Sequence, residues 1–442
     1  MSSTPPRLAA WLLAVLSFAL LATAAGLVPK ASAADRIFWT NDGDETIRAA
    51  SLAGGGSVDI LYGSAQGVSR PVGLALDRAT GHLYWSNQGD DTIRGAPLGG
   101  SGPVDTLYNG AGELVSAVVG VALDPAAARI YWANFNGASR GIHGAPLSGG
   151  GPADTLYDDA NGANGPRGVA VDPDGGRIYW TNFGSAAVRC APLAGGGTVD
   201  TLYQCPRSLP YGVAVDPGAA RIYWDCDDGT IRTGPLAGGV PADVLYSSVG
   251  GPRGLAIDPL AGRIYWAGGD NTIGSAPLAG GGPVETLYSG AAGGVNNSQF
   301  LAVLRAPVGT VPPAIARSGR QLSCGQGSWA PDFVASFVYS APTTFAFQWL
   351  RDGSDVGGAT AATYSPMRAG SYSCRVTASN GAGGRSQTSA AIAVASDPKC
   401  RRLGKKLKRQ RHRLRRAGTE AKHSSIEQNI ADSHARLRRL GC

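Results

Sequence analysis

Arg167, Tyr211 and Arg253 stand at the same place in three successive copies of a repeated pentapeptide, immediately before GVAVD, GVAVD and GLAID. Two guanidiniums and a phenol in equivalent positions can hold an anionic or hydroxyl-rich ligand by charge-assisted hydrogen bonds and by stacking. Phe135 and Phe183 follow the YW dipeptides of their own copies and are expected to add ring faces on the same side. The remaining equivalent positions are Val72, Val119 and Gln299, so the set contains no carboxylate. That composition does not suit a divalent cation, which takes hard oxygen ligands. His82 and His143 fall at different places in their repeats, and no HExxH helix or Cys/His pair occurs. The expected chemistry is ligand binding by Arg167, Tyr211, Arg253, Gln299, Phe135 and Phe183, with no catalytic residue, no metal and no cofactor. The competing expectation is an exported metal-dependent hydrolase or lyase with a site in a central channel.

These residues are positioned by a repeat. The segment GGRIYWTN recurs as DRIFWTN, GHLYWSN, ARIYWAN, ARIYWDC and GRIYWAG, counted by Trp39, Trp85, Trp132, Trp180, Trp224 and Trp266 at spacings of 46, 47, 48, 44 and 42 residues. A period in the forties marks a repeat architecture. The copy around Trp180 reads as four short strands, GVAVD, RIYWT, AAVRCAPL and VDTLY, separated by Gly, Asp and Pro turns. Four such strands make one antiparallel meander, the blade of a propeller. With 65 glycines and only 16% charged residues, the 442-residue chain suits tight turns and short strands, so the fold is expected to be mainly β.

The first element occurs five times, at Gly73, Gly120, Gly168, Gly212 and Gly254, against six copies of the second. The sixth is FLAVLR, Phe300 to Arg305, at the far end of the repeats. The chain is therefore expected to begin within a blade, and its last strand to return as the innermost strand of the first, closing a six-bladed ring without exposed inner edges. Repeats of the form GVAVDP, GRIYWTN, IR, APL and TLY resemble the YWTD, or class B, repeats of low-density lipoprotein receptors, a family of six-bladed β-propellers. The resemblance covers about residues 35 to 305. The motif's Asp is here Asn41, Asn87, Asn134 and Asn182, then Cys226 and Gly268. Asn keeps a hydrogen-bond acceptor, so the resemblance carries the fold more firmly than a ligand. The Tyr and Trp of each copy are expected to fill the wedges between blades, with Thr and Asn tying off the strand ends. Asp77, Asp124, Asp172, Asp216 and Asp258 are expected to accept turn N–H groups. Cys205 and Cys226 belong to adjacent blades on one face and can bridge them by a disulfide; Cys190 has no such partner.

Behind the repeats, a Pro-rich join APVGTVPPA leads to LSCGQGSW, FAFQWLRDG and AGSYSCRVTASN. Cys324, Trp349 and Cys374 lie 25 residues apart, with Tyr372 two residues before the second Cys. That pattern resembles an immunoglobulin-like β-sandwich, which implies a Cys324–Cys374 disulfide, a covering Trp and a tyrosine corner. Residues 400–442 carry 14 Lys and Arg against 3 Asp and Glu, so this stretch holds +11 of a net charge of +7. Asp397 and Pro398, and the box SSIE at Ser424 to Glu427, predict helices starting near 398 and 425. Leu403, Leu407 and Leu414 would face Ile426, Ile430, Leu437 and Leu440, with Cys400 and Cys442 joined at the open end.

Arg7, the apolar run Leu8 to Val28 and ASA at Ala31 to Ala33 read as a signal peptide cleaved before Ala34, or else as an uncleaved anchor. Export permits the disulfides. The expected organisation is a signal peptide over 1–33, a propeller over 34–305, an Ig-like β-sandwich over 306–395 and a basic helical hairpin over 396–442. The expected function is a secreted or envelope-associated binding and adhesion protein. The propeller takes a protein or glycan ligand, the sandwich acts as a spacer, and the hairpin holds anionic cell-wall polymers or lipid head groups by salt-dependent attraction. No nucleic acid is expected, and a monomer is.

Overall fold

A computed structural model of the chain describes residues 35–439, apart from 111, 113, 206, 240, 396, 397, 417 and 419. The expected signal peptide, Leu440 and Cys442 lie outside the described residues. The repeats fold into six antiparallel sheets of four consecutive strands or their equivalent. The sheet of Trp180 is typical: Pro166–Asp172, Arg177–Asn182, Ala187–Pro192 and Asp200–Gln204 pair in order. The sheet of Trp39 takes its inner strand from the other end of the repeats. Ser298–Leu304 pairs with Arg36–Asn41, with Arg36 opposite Leu304 and Trp39 opposite Leu301.

The inner strands set the geometry. Pro71–Asp77, Val118–Asp124, Pro166–Asp172, Pro210–Asp216, Pro252–Asp258 and Ser298–Leu304 each pack on the next, and the last packs on the first. This closed cycle of sheets is the arrangement of a β-propeller. The glycine that opens each pentapeptide is what lets these backbones meet. A Cβ on Gly168 would lie 2.5 Å from the Tyr211 carbonyl oxygen, and one on Gly254 would lie 2.6 Å from that of Gln299. Hydroxyls then tie neighbouring inner strands. Thr181 Oγ1 accepts from the Gly168 N–H at 2.9 Å and donates to the Tyr211 carbonyl at 2.6 Å. Thr40 makes the same bridge, accepting from the Phe300 N–H at 3.1 Å and donating to the Val72 carbonyl at 2.7 Å.

Farther out, aromatic pairs join the sheets. Each repeat Trp is buried and stacks on the Tyr that ends the preceding sheet's outer strand, with centroids 4.7 Å apart for Tyr203 and Trp224 and 6.3 Å for Tyr246 and Trp266. The pair Trp39 and Tyr288, at 5.6 Å, makes this contact across the closure. The same Tyr hydroxyls reach the next sheet, as from Tyr157 to the Pro192 carbonyl at 2.7 Å and from Tyr288 to the Ser51 carbonyl at 2.7 Å. The Asp residues ending the inner strands accept turn N–H groups as expected, for example Asp216 from Ala219 at 3.0 Å.

The following segment returns to the ring. Val338–Tyr339 pairs in parallel with Ser298–Leu304, and the turn Val334–Ser336 packs against the inner strands that end at Asp124, Asp172, Asp216 and Asp258. Ser336 Oγ donates to the Val215 carbonyl at 2.5 Å, the Leu76 N–H donates to the Tyr339 hydroxyl at 3.3 Å, and Arg78 pairs with Asp332 at 2.9 Å. Phe337, Val338 and Tyr339 are buried there. This segment therefore plugs the axis at the end opposite Arg167. Nearby, Arg305 is buried between Asp258 at 2.5 Å and Asp35 at 3.2 Å. The segment that leads into the following sheets is thus anchored to the ring.

Beyond the plug, Thr344–Arg351, Gly370–Asn380 and Gly383–Thr388 form one sheet, and Ile315–Ser318, Gln321–Cys324 and Thr363–Tyr364 another. The Cys324–Cys374 disulfide joins the two beside buried Trp349. The Tyr372 hydroxyl donates to the Arg368 carbonyl at 2.9 Å. Two helices are present among the described residues, α1 (Pro398–Leu414) and α2 (Glu420–Arg439), packed on each other. Neither is long and apolar enough to cross a membrane. α2 begins at Glu420, ahead of the expected SSIE cap, because Glu, Ala and Lys are strong helix formers and the Glu420 charge suits a helix N-terminus. Cys400 is disulfide-bonded, whereas its expected partner Cys442 is outside the described residues.

Trp39→Ala removes the stack at the closure and is expected to cost about 3–5 kcal/mol, whereas Tyr288→Phe loses only one hydrogen bond, about 0.5–1.5 kcal/mol. Urea unfolding of the full chain checks both, and equal midpoints for the two variants would refute the assignment.

Candidate functional site at the channel mouth

The inner strands begin at the mouth, so their second residues converge there. Arg167 is the centre of the cluster. Its guanidinium carbon lies 4.1 Å from the Tyr211 ring centroid, 5.3 Å from that of Phe183 and 5.4 Å from that of Phe135. The rings support one another edge to face, Phe135 on Phe183 at 5.5 Å and Phe183 on Tyr211 at 5.5 Å. Burial lowers the Arg167 pKa, and the positive charge of Arg253 acts in the same direction; Tyr211 and Asp225 oppose them. Arg167 Nε is buried without a hydrogen-bond partner. Arg253 hydrogen-bonds Asn297 Oδ1 and crosses Gly269, where a Cβ would lie 2.9 Å from its Nε.

Four of the six expected residues, Arg167, Tyr211, Phe135 and Phe183, thus form one contact cluster, with Arg253 close enough for its charge to be felt. Gln299 does not join it. Its side chain is buried and donates to the Asn297 carbonyl at 3.1 Å, so its amide is spent on its own loop. Val72 and Val119 are buried on the other side of the axis. The mouth is lopsided, with cations and aromatic rings on one flank and aliphatic groups on the other.

One buried acid beside the cluster escaped the sequence reading. Asp225 is fully buried next to Arg167, accepts from the Gly212 N–H at 2.9 Å, and leaves Oδ2 without a partner. Its carboxyl is pushed up to about 7, chiefly by burial, against the lowering effect of the Gly212 N–H and the Arg167 charge. The signal was YWDC, where other copies place Thr, Ser or Ala after Trp. Among the described residues no group of three His, Cys, Asp or Glu side chains could hold a metal ion. His143 is structural: its ring Nε2 meets the Ser139 carbonyl at 2.7 Å, it lies 5.7 Å from the Trp132 ring, and burial lowers its pKa.

The expected Cys205–Cys226 bridge is not formed. Both are buried free thiols, as is Cys190. The Cys226 thiol hydrogen-bonds the Cys205 sulfur, which holds Cys205 below its ordinary pKa and pushes Cys226 far above its own. Two buried thiols can satisfy each other in this way without a covalent bond. Cys226 stands where Asn87 and Asn182 donate to the Gly67 and Gly162 carbonyls, at 2.8 and 2.6 Å, so the pair replaces an amide clip.

No known protein family matches this chain, and no curated protein does. Its likeness is to solved β-propellers. The crystal structure of a nidogen–laminin complex contains a YWTD-type propeller that aligns with a TM-score of 0.52 at 19% identity, over 61% of this chain and 98% of that one. Virginiamycin B lyase from Staphylococcus aureus aligns with a TM-score of 0.44 at 14% identity, over 67% of this chain and 89% of the lyase. A gluconolactonase from Xanthomonas campestris aligns with a TM-score of 0.40 at 17% identity, over 55% of this chain and 85% of the enzyme.

Native protein is expected to resist a thiol reagent, and denaturation without reductant should release the three buried thiols of Cys190, Cys205 and Cys226. Release of a single thiol would show that Cys205 and Cys226 are joined.

Proposed function

We propose that this chain is an exported, non-enzymatic binding protein. Its six sheets are the blades of a YWTD-type propeller spanning residues 34–305, and its ligand is a protein or glycan held at the mouth. Residues 1–33 serve as the export signal, residues 306–395 form an Ig-like sandwich, and residues 396–442 are a basic hairpin for anionic cell-wall polymers or lipid head groups. The observation that carries the reading is the cluster of Arg167, Phe135, Phe183 and Tyr211 beside Arg253, at the end of the ring opposite the plug. Such a surface suits a ligand with one anionic or hydroxyl-rich end and one apolar flank. The nidogen propeller was solved in a complex with laminin, which supports a protein partner as one choice.

The hairpin reading rests on α1, whose seventeen residues PKCRRLGKKLKRQRHRL contain no carboxylate. At its start, a cleft of about 320 Å³ gathers Arg317, Arg368 and Arg401, which extends the basic surface onto the sandwich.

A panel of immobilised polysaccharides and envelope fractions tests the proposal. Charge-assisted contacts contribute about 1.5–3 kcal/mol each, so Arg167→Ala with Arg253→Ala should weaken a mouth ligand at least about tenfold. Binding that survives both changes and vanishes on deleting residues 396–442 would place recognition in the hairpin. A stoichiometric divalent ion in the purified protein would favour the hydrolase reading instead.

A further inference from the structure

The hydroxyl bridge between inner strands has two halves, and one sheet carries it with a different group. Thr40, Ser86 and Thr181 each follow the repeat Trp, accept one N–H from their own sheet's inner strand and donate to a carbonyl on the next, at Val72, Val119 and Tyr211 respectively. In the sheet of Trp224 that position is Asp225. Its Oδ1 supplies the accepting half, taking the Gly212 N–H at 2.9 Å. Its Oδ2 lies in the gap between the two inner strands: a Cβ on Gly212 would be 2.8 Å from it and 2.7 Å from the Gly254 Cα. This oxygen is buried and has no partner. The residue equivalent to Val72, Val119 and Tyr211 on that next strand, Pro252–Asp258, is Arg253. An ionised carboxylate offers its carbonyl nothing but a second acceptor, whereas a carboxylic acid offers a donor.

We propose that Asp225 is held as the neutral acid in the folded ring and donates its proton across the gap to the Arg253 carbonyl, so that losing the proton loosens the ring between the sheets of Trp224 and Trp266. The surroundings favour this state. Burial is the largest influence on the carboxyl and raises it to about 7, while the N–H groups of Gly212 and Tyr211 and the Arg167 charge work in the other direction. The charged and titratable groups facing the site are Arg167 from Pro166–Asp172, Cys226 on its own strand, with its proton retained, and Arg253 from Pro252–Asp258, whose guanidinium is turned to Asn297. The folded pKa lies above the ordinary 3.8, so the stabilisation is complete below about pH 4 and is lost as the pH rises through about 7.

Asp225→Asn tests this in the full chain. The amide keeps an acceptor for Gly212 and a permanent N–H donor for Arg253. The difference in melting temperature between variant and native protein cancels the titration of every other carboxylate. The variant is expected to melt higher by at least about 2 °C at pH 8, with the gain disappearing at pH 5. Parallel curves at the two pH values would overturn the proposal. Should the variant fail to fold, the infrared band of a protonated carboxyl in native protein decides. It should be present at pH 5 and fade as the pH rises through about 7, and its absence at pH 5 would equally refute the assignment.

Discussion

Every sheet of the ring depends on the stack between a Tyr from one outer strand and the Trp of the next sheet. Such a pair contributes about 0.5–1.5 kcal/mol beyond the area it buries. Here each Tyr also sends its hydroxyl to the neighbour's backbone, which fixes the angle between sheets as well as their distance. A closed cycle has as many interfaces as units, so no sheet is left with an unpartnered face. Tyr288 on Trp39 is the contact that turns a stack into a ring.

The axis is crowded because the inner strands approach backbone to backbone. Glycines make room for that approach, and side chains are admitted only at the ends. At one end the room is taken by Phe337, Val338 and Tyr339 from the following segment, and at the other by Arg167 and its rings. The two ends are therefore unequal in chemistry: one is apolar and hydrogen-bonded to the strands, and the other is cationic and aromatic.

Much of this was legible in the residues. The six Trp at near-constant spacing, and the count of five first elements against six second ones, give the sheets and the returning strand before any coordinate is known. The resemblance of Cys324, Trp349 and Cys374 to an immunoglobulin-like pattern does the same for the disulfide. The plug was not legible, because residues 332–339 have no period and their apolar side chains look like any loop until the hole they fill is seen. Gln299 looked equivalent to Arg167 by position, yet a short polar side chain next to its own loop carbonyl turns inward. Asp225 stands at the Thr position of the repeat, directly after the Trp, and not at one of the six mouth positions, so the mouth residues alone give no sign of it. The thiol pair was placed together correctly, but proximity does not decide between a bond and a shared proton.

The returning strand also sets a timetable. Arg36 pairs with Leu304, and Val303 bonds in turn to Phe337, so the first sheet synthesised waits for most of the chain before it is complete. Contacts this distant in sequence make folding slow, because the loop entropy is lost before the contact repays it. Until then Arg36–Asn41 presents an open edge. During synthesis the ring is thus a nascent horseshoe, and a chain halted anywhere before residue 304 ends with an unsealed seam rather than a smaller propeller.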